Sequence, residues 1–305
     1  MIRGAIPTVR SFNRAVTLRV GILTDRFLGR DRPLGEARLI FEIGRQGSDV
    51  RELRARLELD SGYLSRLLRS LEKQGLVAVA PLESDRRIRQ VRLTQDGESE
   101  LAELDRRGDQ FAQAMLDPLS EPERERIVEA MSEVERLLNL SFTRITVEDP
   151  SGYEAKWCLA QYFAELEERF EGGFDATKSI TADSRDLRPP RGAFLIARLD
   201  GRPIGCGAVK GLSPGVGSIK RMWVSAAVRG IGIGRRLLQE LEKEAAKLGL
   251  ELLRLETNKS LVEAQALYRR NGYQEVKAFN DDPYADHWFE KNLEHHRAST
   301  PSASP

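Results

Sequence analysis

The chain has 305 residues, 40% of them hydrophobic and 31% charged, with a formal net charge of +1. This composition suits a soluble globular protein, and at roughly 150 residues per domain the length predicts two domains. No apolar run approaches the roughly 20 residues that cross a bilayer, and Met1-Ile2-Arg3-Gly4 opens no apolar segment of signal-peptide length, so no membrane contact and a cytoplasmic location are expected. Two cysteines, Cys158 and Cys206, read as reduced, packed thiols. The histidines, His287, His295 and His296, all stand near the C-terminus, which leaves little material for a metal site, and none is expected.

From Ser11 to Leu140 the apolar spacing is helical. Asp49 and Asp60 precede two such runs and are placed to cap them, predicting tandem helices over Asp49–Leu57 and Asp60–Gln74, a helix-turn-helix. Leu64, Leu67, Leu68 and Leu71 form the buried stripe of the second helix. Ser61, Gly62, Tyr63, Ser65, Arg66, Arg69 and Lys73 remain for the opposite face. Small residues permit close approach to a groove, and guanidinium groups fork onto guanine edges or phosphates. Taken alone, that face also fits an ordinary surface helix. The next segment decides between the two: strand-like Leu76–Val79 and Ile88–Leu93 flank a polar loop, Pro81–Arg87. A helix-turn-helix followed by a hairpin with a basic tip is a winged helix, whose Arg86, Arg87 and Arg89 would reach an adjacent minor groove.

Charge agrees with this division. Arg51–Arg92 holds ten Lys/Arg against six Asp/Glu, whereas Thr94–Glu135 holds four against thirteen. The stretch Asp60–Leu76, the Asp85-x-Arg87 wing and Leu93-Thr94 followed by Asp96-Gly97 resemble the MarR family over about residues 8–140. That resemblance implies a homodimer on double-stranded DNA, at a palindromic operator, with Thr94–Leu116 and Glu121–Leu140 in the dimerising role. Pro81 and Leu82 stand early in the wing and depart from the family's usual shape.

The helical pattern ends at Asn139–Arg144, and Ile145–Pro150 reads as a short strand and a stop, with no long Gly/Ser tether. The predicted domains are 1–143 and 144–296, followed by a Ser/Pro/Ala-rich tail, 297–305, expected to be disordered.

The second half changes period. A helix over Tyr153–Phe170 precedes a hairpin, Ala193–Ala197 and Ile204–Val209, turning at Asp200-Gly201. A third strand, Ser218–Val224, leads into Arg229-Gly230-Ile231-Gly232-Ile233-Gly234 and a helix. A strand, a glycine-rich turn and a helix start make an anion site, with pyrophosphate as the natural guest. A dinucleotide fingerprint is the rival, but it orders its glycines Gly-x-Gly-x-x-Gly at the head of a parallel unit. Here the order is Arg-x-x-Gly-x-Gly, after antiparallel-looking strands.

Arg229-x-x-Gly232-x-Gly234 resembles the acyl-CoA loop of the GNAT acyltransferases. Ile219–Val224, Leu250–Glu256 and Ala264–Tyr273 resemble that family's fourth strand, fifth strand and late helix, so the resemblance spans roughly residues 145–293. It implies an α/β domain with a mixed sheet splayed between those strands, and a fold class for the chain of a mainly α winged helix plus this domain. It also implies acetyl-CoA as acyl donor, held by backbone groups near Met222, Trp223 and Val224 and by the amides of Gly230, Ile231, Gly232, Ile233, Gly234 and Arg235. Tyr268 occupies the family's general-acid position. No Glu stands on the implied fourth strand, so Glu256 is a substitute base, with a water chain as the other choice. Asn258 resembles a residue placed after the fifth strand, at a longer spacing than usual.

The amine acceptor is unnamed by the sequence. Loops Gly172–Pro190 and Phe279–His287, with Phe174, Asp183, Asp281, Asp282, Tyr284 and Asp286, are where a pocket for it is expected. The function expected is a transcriptional regulator that is also an acetyl-CoA-dependent N-acetyltransferase. The alternative is a DNA-binding repressor whose second half only senses an acyl-CoA or other ligand.

Overall fold

The computed structural model describes residues 2–19, 27–30, 32–82, 85–178 and 183–293. The chain divides into two units, Met1–Ser132 and Glu133–Pro305.

The first unit contains α1 (Ile2–Arg19), a 3-10 turn at Phe27–Gly29, α2 (Leu34–Ile43), β1 (Ser48–Asp49), α3 (Val50–Arg56), α4 (Ser61–Lys73), β2 (Val77–Leu82), β3 (Asp85–Leu93) and α5 (Gln95–Leu116); α6 (Glu121–Phe142) runs from it into the second. The two capping carboxylates act as the sequence predicts. Asp49 accepts from the amides of Arg51 and Glu52, and Asp60 from those of Gly62 and Tyr63. Leu39, Ile40, Leu53, Leu64, Leu68 and Leu71 form the core with Val91 and Leu104. Leu67 lies at the edge of this core, half-buried.

Two features of the wing differ from expectation. Ser48 and Asp49, the second of them expected only as a helix cap, also add a strand to β3, so the sheet runs β1-β3-β2. Pro81 and Leu82, read as loop, belong to β2, where the register with β3 shifts between them. Proline has no N–H for the ladder, and a bulge is where its absence costs least. The hairpin is thus longer than predicted. The side chains of Arg86 and Arg87 fall outside the described residues, as do the tail, His295 and His296.

Gly97 explains the Leu-Thr-x-x-Gly pattern. Thr94 accepts from the Gly97 amide and donates its hydroxyl to Gly75 O at 2.6 Å, drawing the start of α5 onto the hairpin. A Cβ on Gly97 would lie 2.0 Å from Leu76 O. An ion cluster fixes the other side of α5: Arg30 Nη2 lies 2.5 Å and Arg32 Nε 3.1 Å from the Glu100 carboxylate. Burial pushes that carboxyl up, but the two guanidiniums outweigh it and hold it below the usual range.

The second unit holds β4 (Arg144–Glu148), α7 (Tyr153–Arg169), β5 (Gly192–Leu199), β6 (Arg202–Ser213), β7 (Val216–Val224), α8 (Ile233–Lys247), β8 (Leu252–Thr257), α9 (Val262–Arg270), β9 (Gln274–Val276) and β10 (His287–Asn292). Its sheet runs β4-β5-β6-β7-β8-β10-β9 and is antiparallel except between β7 and β8. The β5–β6 turn has Asp200 at φ 49° and Gly201 at φ 74°, the left-handed pair that a tight hairpin requires. Leu237, Leu238 and Leu241 of α8 bury one side of the sheet; Ala155 and Cys158 of α7 bury the other, with Cys206.

The parallel pair β7–β8 is short. Val216, Gly217 and Ser218 pair with Leu252, Leu253 and Arg254, and pairing stops there although both strands continue. The sequence places the domain junction at 143/144. The two compact units divide between Ser132 and Glu133, inside α6, whose last turns belong to the second unit: Leu140 joins Ile145, Ile231 and Ile233 in one apolar cluster. Among the described residues, no helix is long and apolar enough to cross a membrane.

The steric account of Gly97 makes a paired prediction. Gly97→Ala should destabilise the first unit by about 2–3 kcal/mol, because a backbone carbonyl cannot move aside cheaply. Gly108→Ala, in the same helix with nothing within 4 Å of the added carbon, should stabilise by about 1 kcal/mol. Denaturant unfolding followed by circular dichroism checks both.

Candidate active site

The loop between β7 and α8 is shaped by two glycines. Gly230 has φ 80° and Gly232 φ 101°, values that side-chain-bearing residues rarely adopt. Gly232 is the N-cap of α8 and supplies no side-chain acceptor; the first turn of α8 contains no acid but does contain Arg235 and Arg236. A helix start with open amides, positive dipole and basic side chains favours an anion. Gly234 is different. A Cβ there would meet Leu267 Cδ2 at 3.4 Å, near ordinary contact, so backbone freedom is not what it supplies.

Arg229 lies beside this loop but is turned from it. Its Nε donates to Val224 O at 2.9 Å and its Nη2 pairs with Glu165, which also accepts from Trp223 Nε1 at 3.0 Å. Arg229 thus ties the loop to β7 and α7.

A bulge interrupts β7. Cys206 pairs with Trp223 and Ala208 with Lys220, so Arg221 and Met222 together face Gly207. Arg221 takes φ 57° there. A Cβ on Gly207 would lie 2.9 Å from Met222 Sδ, so this glycine makes room for the bulge.

Where β7 and β8 separate, a cavity of about 360 Å³ opens. Lys220, Arg221, Met222, Glu256, Asn258 and Tyr268 line it, with aromatic residues from α7 and two loops. Lys220 and Glu256 form an ion pair with side chains only 12% and 9% exposed. Burial presses the ammonium of Lys220 down to about 8. Oε2 of Glu256 is buried without a hydrogen-bond partner among the described residues. Tyr268 is 5% exposed and packs against Tyr273 and Phe289; burial pushes its phenol well above the ordinary value.

The sequence-predicted residues are therefore brought together unequally. Tyr268, Glu256 and Met222 meet at the cavity. Trp223 lies buried beneath the sheet against Trp157 and Cys206. Asn258 borders the cavity, but its Nδ2 donates to Tyr284 O at 2.8 Å and its Oδ1 accepts from the Ser260 amide at 2.9 Å, holding the turn after β8. Of the acceptor-loop residues, Phe174, Asp282 and Tyr284 line the cavity; Asp183 pairs with Arg185, and Asp286 accepts from the Lys259 amide. Sequence reading missed Tyr162, Phe163, Lys220 and Arg221. The adjacent cations inside an otherwise apolar strand were the available signal for the last two. Among the described residues, no group of three or more His, Cys, Asp or Glu is arranged to hold a metal.

In the first unit, Ser61, Gly62, Tyr63, Arg66 and Arg69 are exposed on α4, Ser65 is half-buried, and Arg89 is exposed on β3. The Arg66 guanidinium lies 5.7 Å from the centre of the Tyr63 ring.

The chain's similarities agree with these two halves. The acetyltransferase (GNAT) family matches residues 159–273 and the MarR family residues 29–88. The IAA acetyltransferase of Azospirillum brasilense is 37% identical over 127 residues, covering 41% of this chain and 82% of that protein. The N-alpha-acetyltransferase RimI of Mycobacterium tuberculosis is 35% identical over 120 residues, covering 38% and 73%. A solved mutant MarR from E. coli, 21% identical, covers 41% of this chain and 93% of that one with a TM-score of 0.37. The chain belongs to the GNAT family of acetyltransferases through its second unit and carries a MarR-family winged helix in its first.

Proposed function

We propose that this protein is both a DNA-binding regulator and an N-acetyltransferase, moving the acetyl group of acetyl-CoA to an amine in a single direct step. The observation that carries the transferase reading is the meeting of Glu256 and Tyr268 in one cavity at the splay, on the same sheet as a glycine loop suited to pyrophosphate. Both acetyltransferase relatives support the reaction class by their names.

The residues divide the work as follows. The open amides at the start of α8, from Gly230 to Arg235, would hold the pyrophosphate, and backbone groups of Met222, Trp223 and Val224 the pantetheine arm. Acetyl-CoA supplies a thioester carbon open to attack. The amine nitrogen forms the new bond as the carbon–sulfur bond breaks. The amine proton passes to the buried Oε2 of Glu256, and the Tyr268 phenol protonates the departing sulfur. A phenol carries its proton at neutral pH in any case, and burial pushes the Tyr268 phenol further above its ordinary value. Asn258 acts by holding the Tyr284 turn.

Tyr268→Phe should lower kcat about 100-fold while acetyl-CoA affinity stays within a factor of two, read by thiol release and calorimetry. An unchanged kcat would remove Tyr268 from the chemistry.

For the first unit, we read α4 as the major-groove helix of a homodimer. Ile6, Val9, Phe12 and Val16 recur at helical spacing and are exposed on α1, which supports a second copy as their cover. Arg69→Ala should weaken binding to the DNA upstream of the protein's own gene by about 1–3 kcal/mol and relax its sequence preference. Lys73→Ala should weaken all duplexes alike and reduce the salt slope by about one. Fluorescence anisotropy across a salt series separates the two.

A second reading, the acyl-CoA sensor, draws support from the end of α6. Arg136 Nη1 donates to Ile231 O at 3.3 Å, Arg236 donates to Leu140 O, and Leu140 packs against the loop that would hold pyrophosphate. Acetyl-CoA should then change operator affinity at least fivefold, operator should change acetyl-CoA affinity by the same factor, and Arg136→Ala should shrink both. Equal acetyl-CoA affinity with and without operator would exclude coupling through this cofactor.

A further inference from the structure

The cavity at the splay has two chemically distinct ends. One is an aromatic wall. Phe163 stacks on Phe174 with ring centres 5.8 Å apart and planes 12° apart; Phe174 meets Tyr284 at 4.8 Å; Phe170 touches both. The Asp175 amide donates to Tyr284 Oη at 2.9 Å, and Asp282 accepts from the Tyr284 amide, so the two loops that carry the rings are pinned together. The other end is charged. Lys220, Arg221, Glu256 and Asp282 line it, two cations and two carboxylates, beside Tyr268.

The charged end constrains what can react there. Transfer requires the amine to give up a proton, and the buried Oε2 of Glu256 is a carboxylate oxygen with no hydrogen-bond partner among the described residues. Once Glu256 is protonated, two cations face one remaining carboxylate. An uncompensated charge in a largely buried site is costly. An acceptor that carries a carboxylate of its own restores the balance next to Lys220 and Arg221. A plain amine leaves the excess, and a polyamine adds to it. The Arg221 guanidinium already sits 5.9 Å from the Phe163 ring centre, where the charged end meets the aromatic wall. A cavity of about 360 Å³ falls at the lower end of the ~300–1,000 Å³ typical of small-molecule sites.

We propose that the acceptor is a small amino acid with an aromatic or comparably bulky apolar side chain: its ring lies on the Phe163, Phe174 and Tyr284 wall, its carboxylate faces Lys220 and Arg221, and its amine faces Glu256. This rests on the transferase reading above and names the substrate class of that site.

The test compares acceptors that differ in one group. Thiol release from acetyl-CoA is measured on the full chain with L-tryptophan and L-phenylalanine, with tryptamine and phenethylamine, and with spermidine and a short unblocked peptide. Binding of the same compounds to the chain loaded with CoA is followed by calorimetry. We expect kcat/KM for each aromatic amino acid to exceed that of its decarboxylated partner at least tenfold. Arg221→Gln should narrow that ratio by depressing tryptophan more than tryptamine, and Phe174→Ala should raise KM for both. Equal or better use of tryptamine, or preference for spermidine or the peptide, overturns the acceptor class and leaves the transferase reading intact. Absence of both acetyl-CoA binding and thiol release with every amine overturns the transferase reading itself. Where CoA binds but no amine is turned over, calorimetry decides the acceptor class: tighter binding of tryptophan than tryptamine sustains it, and binding of neither refutes it.

Discussion

Everything in the second unit depends on where the β7–β8 ladder stops. Three residue pairs hold the strands together, ending at Ser218 and Arg254. Two residues further along each strand stand Lys220 and Glu256. They face each other where the register would have continued, and they form an ion pair where backbone pairing has ceased. A salt bridge thus spans the mouth of the opening that backbone hydrogen bonds have left. Buried pairs of this kind seldom add net stability, since desolvation offsets most of the attraction. Their persistence at the entrance to a cavity points to chemistry. The bulge at Arg221 and Met222 immediately follows, and with it β7 pairs with β6 while its own backbone turns away from β8.

Local chemistry was the part readable in the sequence. Asp49 and Asp60 announce helix starts because a carboxylate one position ahead of an apolar run has few other tasks. Gly230 and Gly232 announce an anion loop because left-handed backbone ahead of a helix is rarely useful otherwise. Gly97 was visible as part of a pattern, but its reason, the carbonyl of Leu76 pressed against α5, belongs to tertiary packing. Ser48 and Asp49 show the same limit. Two residues carry no period, so a two-strand ladder with β3 leaves no trace in the sequence.

Side-chain destinations across long separations were not readable. Lys220 and Glu256 are 36 residues apart in sequence, and nothing local to either names the other. Arg229 is a second case. The glycine pattern that it heads does not name the partners of its guanidinium, Glu165 and the Val224 carbonyl. Asn258 is a third case: its likeness to a family residue after the fifth strand does not show that both of its polar ends bond to backbone, one to its own turn and one to the Tyr284 loop. The aromatic wall was half-visible. Phe174 and Tyr284 were read as loop residues around an acceptor pocket, but Phe163, which stacks on Phe174, lies on α7, far from either loop in that reading.

The end of α6 gives the fusion a physical rationale. A flexible tether would let each half act without regard to the other. Here the helix that leaves the winged unit is continuous to Phe142, and its last turns are built into the second unit: Leu140 enters the apolar cluster of Ile231 and Ile233, and its carbonyl is taken by Arg236 in the first turn of α8. That same turn presents the open amides suited to an anion. Any ligand that tightens the Gly230–Gly234 backbone therefore acts on residues that already touch α6. Coupling still demands a differential affinity between two states, since proximity alone transmits nothing. What the geometry supplies lies within the second unit: two contacts, the packing of Leu140 and the Arg236 bond to its carbonyl, join the Gly230–Gly234 loop to the last turns of α6.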